Sequence, residues 1–419
     1  MALNSLKNAL SNRNILVLSV SVSILMFSFS LYQSFWPIYL LEQGLNFDLV
    51  ALLSVIGMSS RLLAQLPGGI LADRIGRKKT LLIAAPLFVL QPLIYIFATS
   101  WEHFVLGQIL GSSLSLATPA YNAVVLESLP KEQKGLGYGV FRMILSFSGI
   151  FTGVGGIIID TYGLVQGVNI CLIVQIIVSV LFCCIIGLFL NETLQKSAIK
   201  DKNFIKSIRE ILPQYKKNML ALQVASSASQ FAMQLVNPFL VIYIIKNIGL
   251  SYTEWGLLLS IQTVITIVTA IPGGMMADRV DRRYLICFAR AMVPLTNLSY
   301  IFLRSFYPIL LIRVIAGIGA GLGGGAFGFL GGPAWQSLLA DLVPQEKRGR
   351  IMGLMGTLTG ITNLPAAPTG AYMWQNYYPE LTFYASMVLG MLSLPIIYFF
   401  VKEPRKIKKN MIDRSKKLT

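Results

Sequence analysis

Apolar residues run along this chain in long uninterrupted blocks, each closed by a short polar or Gly/Pro-marked turn, without the one-faced or alternating patterns of a soluble fold. A hydrocarbon core ~30 Å thick takes roughly 20 helical residues to cross. By that measure the blocks near 14–40, 47–72, 78–99, 102–128, 136–160 and 164–190 are six membrane-spanning helices. Those near 218–245, 252–277, 284–303, 306–339, 351–374 and 381–401 are six more. The first block is too long for the apolar part of a signal peptide and has no clear small-residue cleavage site, so it is read as a span. The expected fold class is all-α integral membrane, with twelve transmembrane helices.

The pattern also repeats. Pro67-Gly68-Gly69-Ile70-Leu71-Ala72-Asp73-Arg74 returns 205 positions later as Pro272-Gly273-Gly274-Met275-Met276-Ala277-Asp278-Arg279. Pro119-Ala120-Tyr121-Asn122, with Glu127 and Pro130, returns 214 positions later as Pro333-Ala334-Trp335-Gln336, with Asp341 and Pro344. Lys134-Gly135 answers Arg348-Gly349, and Gln33 and Pro37 answer Gln234 and Pro238. Each half has an even number of spans, so the two are parallel six-helix repeats. The expected organisation is a bundle over 1–190, a linker over 191–216, a second bundle over 217–401 and a basic tail over 402–419. In the linker, Phe204, Ile205, Ile208, Ile211 and Leu212 fall at helical spacing opposite Lys202, Lys206 and Arg209. That pattern fits an amphipathic helix on an anionic membrane surface and equally a solvated helical connector.

Composition agrees with a lipid-facing chain: of 419 residues 55% are hydrophobic and 13% charged, against about 25% charged in soluble proteins. The net charge of +17 would suit nucleic acid, but its distribution excludes that partner. Lys246 and Arg304 lie in loops on one side, and Arg61, Arg142, Arg290 and Arg313 lie inside spans. All the others among the 35 Lys and Arg residues fall on the side that holds both termini and the middle loop. This asymmetry places that side in the cytoplasm of a multi-pass cell-membrane protein. Cys171, Cys183, Cys184 and Cys287 sit in apolar spans without metal-ligand spacing and are read as buried thiols. No metal, cofactor or enzymatic chemistry is expected, since no ligand cluster, nucleophile elbow or paired carboxylate lies at membrane depth.

Gly69-Ile70-Leu71-Ala72-Asp73-Arg74-Ile75-Gly76-Arg77-Lys78, between spans 2 and 3, resembles the signature loop of the major facilitator superfamily. The second copy keeps Gly274, Asp278 and Arg279 but has Asp281 in place of the second glycine. With the span count, the resemblance covers essentially the whole chain. It implies the major facilitator fold, a substrate site between the halves near the bilayer midplane, and helices 1, 4, 7 and 10 lining it. It also implies a gating role for the loop. Asp73 would face the start of span 11 near Arg348, Asp278 would face the start of span 5 near Lys134, and Glu127 and Asp341 would join these contacts. A carboxylate at a helix N-terminus is worth about 0.3 to 2 kcal/mol. The alternative is that these charges mark the membrane border.

Ionisable residues at membrane depth are costly and so are candidates for function. Arg61 lies twelve residues before Asp73, or ~18 Å of helical rise, near the middle of span 2. Arg142, Arg290 and Arg313 could each line a cavity or snorkel to an interface, with snorkelling the favoured reading for Arg290 and Arg313. The cavity helices offer Tyr32, Gln33 and Trp36; Gln108, Tyr121 and Asn122; Gln230, Gln234 and Asn237; and Trp335 and Gln336. Aromatic rings, amides and a cation suit a partly apolar ligand with a polar or anionic group. None of the 18 acidic residues falls in the central third of a span, unlike many proton-coupled drug antiporters of the superfamily. Span 5 carries Gly149, Gly153, Gly155 and Gly156 but has Val154 where the antiporter glycine motif has proline. Span 10 carries nine glycines between Gly317 and Gly332, a run that allows close crossing or bending.

The expected function is secondary active transport by alternating access, namely efflux of drug-like or amphipathic small molecules by a monomer coupled to a proton or another ion. The nearest alternative is uptake or exchange of a small organic anion on Arg61. A non-transporting receptor or sensor with the same fold is the alternative from another class.

Overall fold

A backbone crossing hydrocarbon has no water to bond, so each apolar block satisfies its own amides as a helix. The computed structural model describes residues 12–129, 141–194, 217–324, 333–342, 348–401 and 403. Among these, eleven helices are long and apolar enough to cross a membrane. In chain order, six of them are Arg13–Glu42, Phe47–Arg74, Arg77–Ile96, Trp101–Ser128, Phe141–Tyr162 and Leu164–Phe189. The others are Asn218–Ile248, Tyr252–Ala277, Arg282–Phe302, Phe306–Gly323 and Glu380–Phe400. They correspond to spans 1 to 10 and 12. Span 11 is also present but broken: Arg348–Asn363 and Ala366–Asn376 meet at Leu364-Pro365, where proline can neither donate its amide nor continue the first helix. The expected amphipathic stretch of the linker, the Lys134 loop and all of the basic tail except Glu403 lie outside the described residues.

The chain divides into two compact units, Met1–Lys200 with Val241–Thr263, and Asp201–Leu240 with Val264–Thr419. In the first, Leu18, Leu25, Phe88, Val124 and Phe182 are buried at the centre of a core drawn from spans 1, 3, 4 and 6. Backbones approach closely where side chains vanish. A Cβ on Gly68 would strike the Leu116 carbonyl of span 4, and one on Gly155 would strike the Leu31 carbonyl of span 1. Gly107 and Gly111, one turn apart on span 4, make room for the Tyr95 ring and the Gln91 amide of span 3. The segment from the span 7–8 turn packs on span 5. There the Gly153 amide donates to Ser260 Oγ at 2.9 Å. The Asp160 carboxylate accepts from the Tyr252 and Thr253 amides at 3.2 and 2.7 Å, capping the helix that starts there.

The second unit has its own core, with Leu222, Ile286, Leu338, Ile351 and Ile397 buried. Its close crossing repeats that of the first: a Cβ on Gly273, the counterpart of Gly68, would lie 2.5 Å from the Gly321 carbonyl oxygen of span 10. The described part of the span 10 glycine run is thus a contact surface and includes a π-helical turn, Ala320–Gly324, while residues 325–332 lie outside the described residues. Gly323 abuts the Leu285 carbonyl of span 9. Thr266 Oγ1 donates to the Gly317 carbonyl at 3.2 Å.

The paired glycines 68 and 69 therefore separate a packing role from a conformational one. A Cβ on Gly69 meets nothing within 4 Å. Gly68→Ala is expected to destabilise by about 1 to 3 kcal/mol through overpacking, while Gly69→Ala is neutral or gains about 0.5 to 1 kcal/mol of helix propensity. Thermal unfolding of the two purified variants checks this; equal shifts would refute the crossing.

Candidate functional site

Glycine at position 76, with φ +110°, turns the chain sharply between spans 2 and 3 and leaves no side chain to cap the helix that begins at Arg77. A distant residue supplies the cap. Glu192, just past the end of span 6, accepts from the Arg77 amide at 2.9 Å and the Lys78 amide at 3.1 Å. Partial desolvation pushes its carboxyl up, but amide donors from Leu194, Arg77, Lys78 and Thr193 outweigh that and leave it below the usual carboxylate range. A Cβ at position 76 would collide with this carboxylate, a second reason for glycine.

Above the cap the Arg77 guanidinium, 7% exposed, is surrounded. Nη1 donates to the Ala72 carbonyl at 2.6 Å, and Nη2 lies 2.9 Å from Glu127 and 3.3 Å from Asp73. Thr193 Oγ1 donates to the other oxygen of Glu127 at 2.6 Å. Of the expected gating residues, Asp73, Gly76, Arg77 and Glu127 are thus brought together, whereas Gly69 and Arg74 stand apart from this cluster.

The second unit builds the same lock from different parts. Asp281, standing where the first repeat has Gly76, caps its own helix by accepting from the Arg283 amide at 3.1 Å. That leaves the late acidic residue, Glu403, free to pair with the Arg282 guanidinium, which also reaches Asp341 at 2.7 Å and Ser337 Oγ at 2.8 Å. Arg282 is fully buried and Glu403 nearly so. Gly274 and Arg279 precede this lock in the chain. The side chains of Asp278 and Arg348, like Lys134, lie outside the described residues, as does that of Gln336.

The polar candidates of the first unit fall into two groups. Tyr32 and Trp36 are buried in a ring cluster, with Trp36 4.4 Å from Tyr95 and 5.7 Å from Tyr32 between centroids, and Phe104 beside them. Gln91 Nε2 donates to Tyr95 Oη at 3.4 Å, and Gln175 Nε2 to Gln91 Oε1 at 3.4 Å. Arg61 is exposed on span 2, within electrostatic reach of Tyr95. Gln108 lies against Gly57 of span 2, Tyr121 packs on Phe141, and Gln33 is exposed. Asn122 and Arg142 are half-buried.

In the second unit a small recess gathers Gln230 and Trp335 from the candidates. Ser226 and Thr359 add hydroxyls, and Leu339, Met352 and Met355 give an apolar wall. Gln234 is half-buried and Asn237 exposed on the same helix, outside this cleft. Arg290, expected to snorkel, does not: it is 6% exposed, its Cζ lies 4.6 Å from the Trp335 ring centroid, and it donates to the Ala225 carbonyl and Ser226 Oγ at 3.0 and 3.1 Å. Arg313 likewise turns inward, 5.4 Å from the Tyr300 ring. Depth alone does not distinguish inward from outward; the face of the helix decides. Repeat displacement would have flagged Arg282 from Arg77, but Glu192 and Glu403 belong to no motif.

The cap by Glu192 has a pH signature. A carboxyl held below its unfolded value stabilises the fold above the ordinary carboxylate range, and that contribution is lost as pH falls through the lowered value. Glu192→Gln is expected to cost about 1 kcal/mol at neutral pH after solvent screening, and nothing once wild-type Glu192 is itself protonated. Unfolding temperatures of both proteins across an acid series measure this, and identical curves at neutral pH would remove the cap.

A family model described as Major Facilitator Superfamily matches the chain twice, over residues 18–222 and 222–418. The chain is 26% identical over 381 residues to the multidrug resistance protein MdtG of Enterobacter lignolyticus, covering 87% of this chain and 86% of that protein. It is 24% identical to the MdtG of Yersinia enterocolitica over 96% of both chains. Among solved structures it is similar to the D-xylose-proton symporter, with TM-score 0.71, 16% identity, and 93% of this chain and 98% of that one covered. It is also similar to the human organic anion transporter MFSD10, with TM-score 0.62, 14% identity, and 92% and 99% covered. Two matched halves, twelve spans and a recurring charge lock agree: the chain belongs to the Major Facilitator Superfamily.

Proposed function

We propose that the chain is a secondary active transporter that exports drug-like or amphipathic small molecules by alternating access. The observation that carries this is the match to two multidrug resistance proteins over 87% and 96% of this chain, together with a family model that fits each half. It works as a single chain in the cell membrane, with both termini cytoplasmic, as the one-sided distribution of Lys and Arg supports. Transport is coupled to a proton or another ion.

The substrate-facing candidates are Arg61, Gln108, Asn122 and Arg142 in the first unit, and Gln230, Gln234, Asn237 and Trp335 in the second. The gating loops are the two around Asp73 and Asp278. Asp73 suits this role because its side chain is 75% exposed even while it pairs with Arg77, which leaves the carboxylate open to a further partner.

Cells expressing the chain are expected to extrude fluorescent amphipathic dyes faster than control cells, and to slow when a protonophore collapses the gradient if the coupling ion is a proton. Asp73→Asn is expected to lower the efflux rate about tenfold without changing the amount of folded protein. Dye retention equal to that of control cells across a broad panel would refute the export reading, and an unchanged rate in Asp73→Asn would refute the gating role.

A further inference from the structure

Arg290 belongs to span 9, which is not among the four helices expected to face substrate. Its guanidinium is nevertheless buried against the cleft of the second unit. Among the described residues its polar partners are both neutral oxygens, the Ala225 carbonyl and the Ser226 hydroxyl, and it forms no ion pair. Arg282, two turns earlier on the same helix, has two carboxylates. A buried cation left without a counter-ion at membrane depth is costly to keep, and its field reaches whatever lies next to it.

What lies next to it is the cleft wall. Ser226 Oγ accepts from Arg290 and so turns its own proton toward another acceptor, and Ser226 lines the cleft. Trp335 lines it too, and its buried Nε1–H has no partner among the described residues. Gln230 adds an amide. An unpartnered indole N–H, a serine hydroxyl and a glutamine amide thus border an apolar wall of methionine and leucine, with a positive charge behind them. An indole in a drug-binding cleft ordinarily attracts cations to its face. Here a guanidinium already occupies one face at 4.6 Å, and a second cation stacked at the same height on the other would meet it across the ring, about twice that distance away.

We propose, resting on the transport reading above, that Arg290 acts through Ser226 and Trp335 as a selectivity residue, making this cleft accept anionic amphipaths and reject organic cations of the same shape. Arg290 is a positioning and field-setting residue; it need not touch the substrate.

The test uses two probes with one aromatic body and opposite charges, naphthalenesulfonate and naphthylmethyltrimethylammonium, titrated calorimetrically into the purified full chain and followed in transport by proteoliposomes. Wild type is expected to bind the sulfonate about tenfold more tightly than the ammonium. In Arg290→Met that preference falls to about parity, in Arg290→Lys most of it returns, and in Ser226→Ala it drops severalfold with Arg290 still in place. A purely structural role would weaken both probes alike and leave their ratio unchanged. The proposal is overturned if wild type prefers the ammonium, if it binds neither probe, or if folded Arg290→Met keeps the wild-type ratio. Should Arg290→Met not fold, the wild-type ratio and the Ser226→Ala ratio decide alone. A wild type that transports the ammonium but not the sulfonate keeps the transport reading and overturns this one. If it transports neither probe and no dye of the efflux panel, transport itself is refuted.

Discussion

Lipid tails are as apolar as leucine, so burying one apolar helix face against another yields little where the alternative is the bilayer. That constraint governs the rest of the structure. Association must come from close backbone approach and from polar contacts that hydrocarbon cannot supply. Gly68 and Gly273 let span 2 touch span 4 and span 8 touch span 10 at backbone distance. Gly155 does the same for spans 5 and 1. With the helices held this near, long polar side chains such as Arg77, Gln91 and Arg290 find neighbouring carbonyls, amides and rings instead of lipid.

The repeats solve one problem with different atoms. A sharp turn after span 2 demands glycine at 76, so the helix start at Arg77 borrows a carboxylate from Glu192. The equivalent turn after span 8 accepts Asp281, which caps locally and releases Glu403 to neutralise Arg282. The loss of the family's second glycine in the second copy is therefore a redistribution of carboxylates, not decay. At membrane depth the halves diverge further. Arg61 has Thr266 as its counterpart, and that hydroxyl is used up on the Gly317 carbonyl. The second unit turns Arg290 and Arg313 inward, whereas Arg61 of the first is exposed.

The spans were legible because length and apolarity are imposed directly by the bilayer, and the repeat was legible because eight residues at each signature loop can be aligned by eye. The break at Leu364-Pro365 was not marked, since proline is tolerated within other spans, as Pro67 and Pro92 show. Rotation about each helix axis was the larger loss. A helix apolar on every side has no polar stripe to mark the inward face. Tyr32 and Trp36 could thus be assigned to the right helix but not to the ring cluster they enter, whereas span 9 does carry a polar face, and that face, with Arg290, Thr296 and Asn297, turns inward. Glu192 and Glu403 were hidden for another reason. Their partners are more than a hundred residues away, and carboxylates just outside a span look like ordinary border charges.

Those two glutamates also order events in time. Arg77 is synthesised 115 residues before the carboxylate that caps its helix, and Arg282 precedes Glu403 by 121. The emerging chain therefore holds an uncapped helix start at Arg77, and later an incompletely paired Arg282, until the sixth and then the twelfth span has been inserted and the chain has come back out. The residues after the sixth and the twelfth span thus act as clasps, each fastened only once the helices before it are in place.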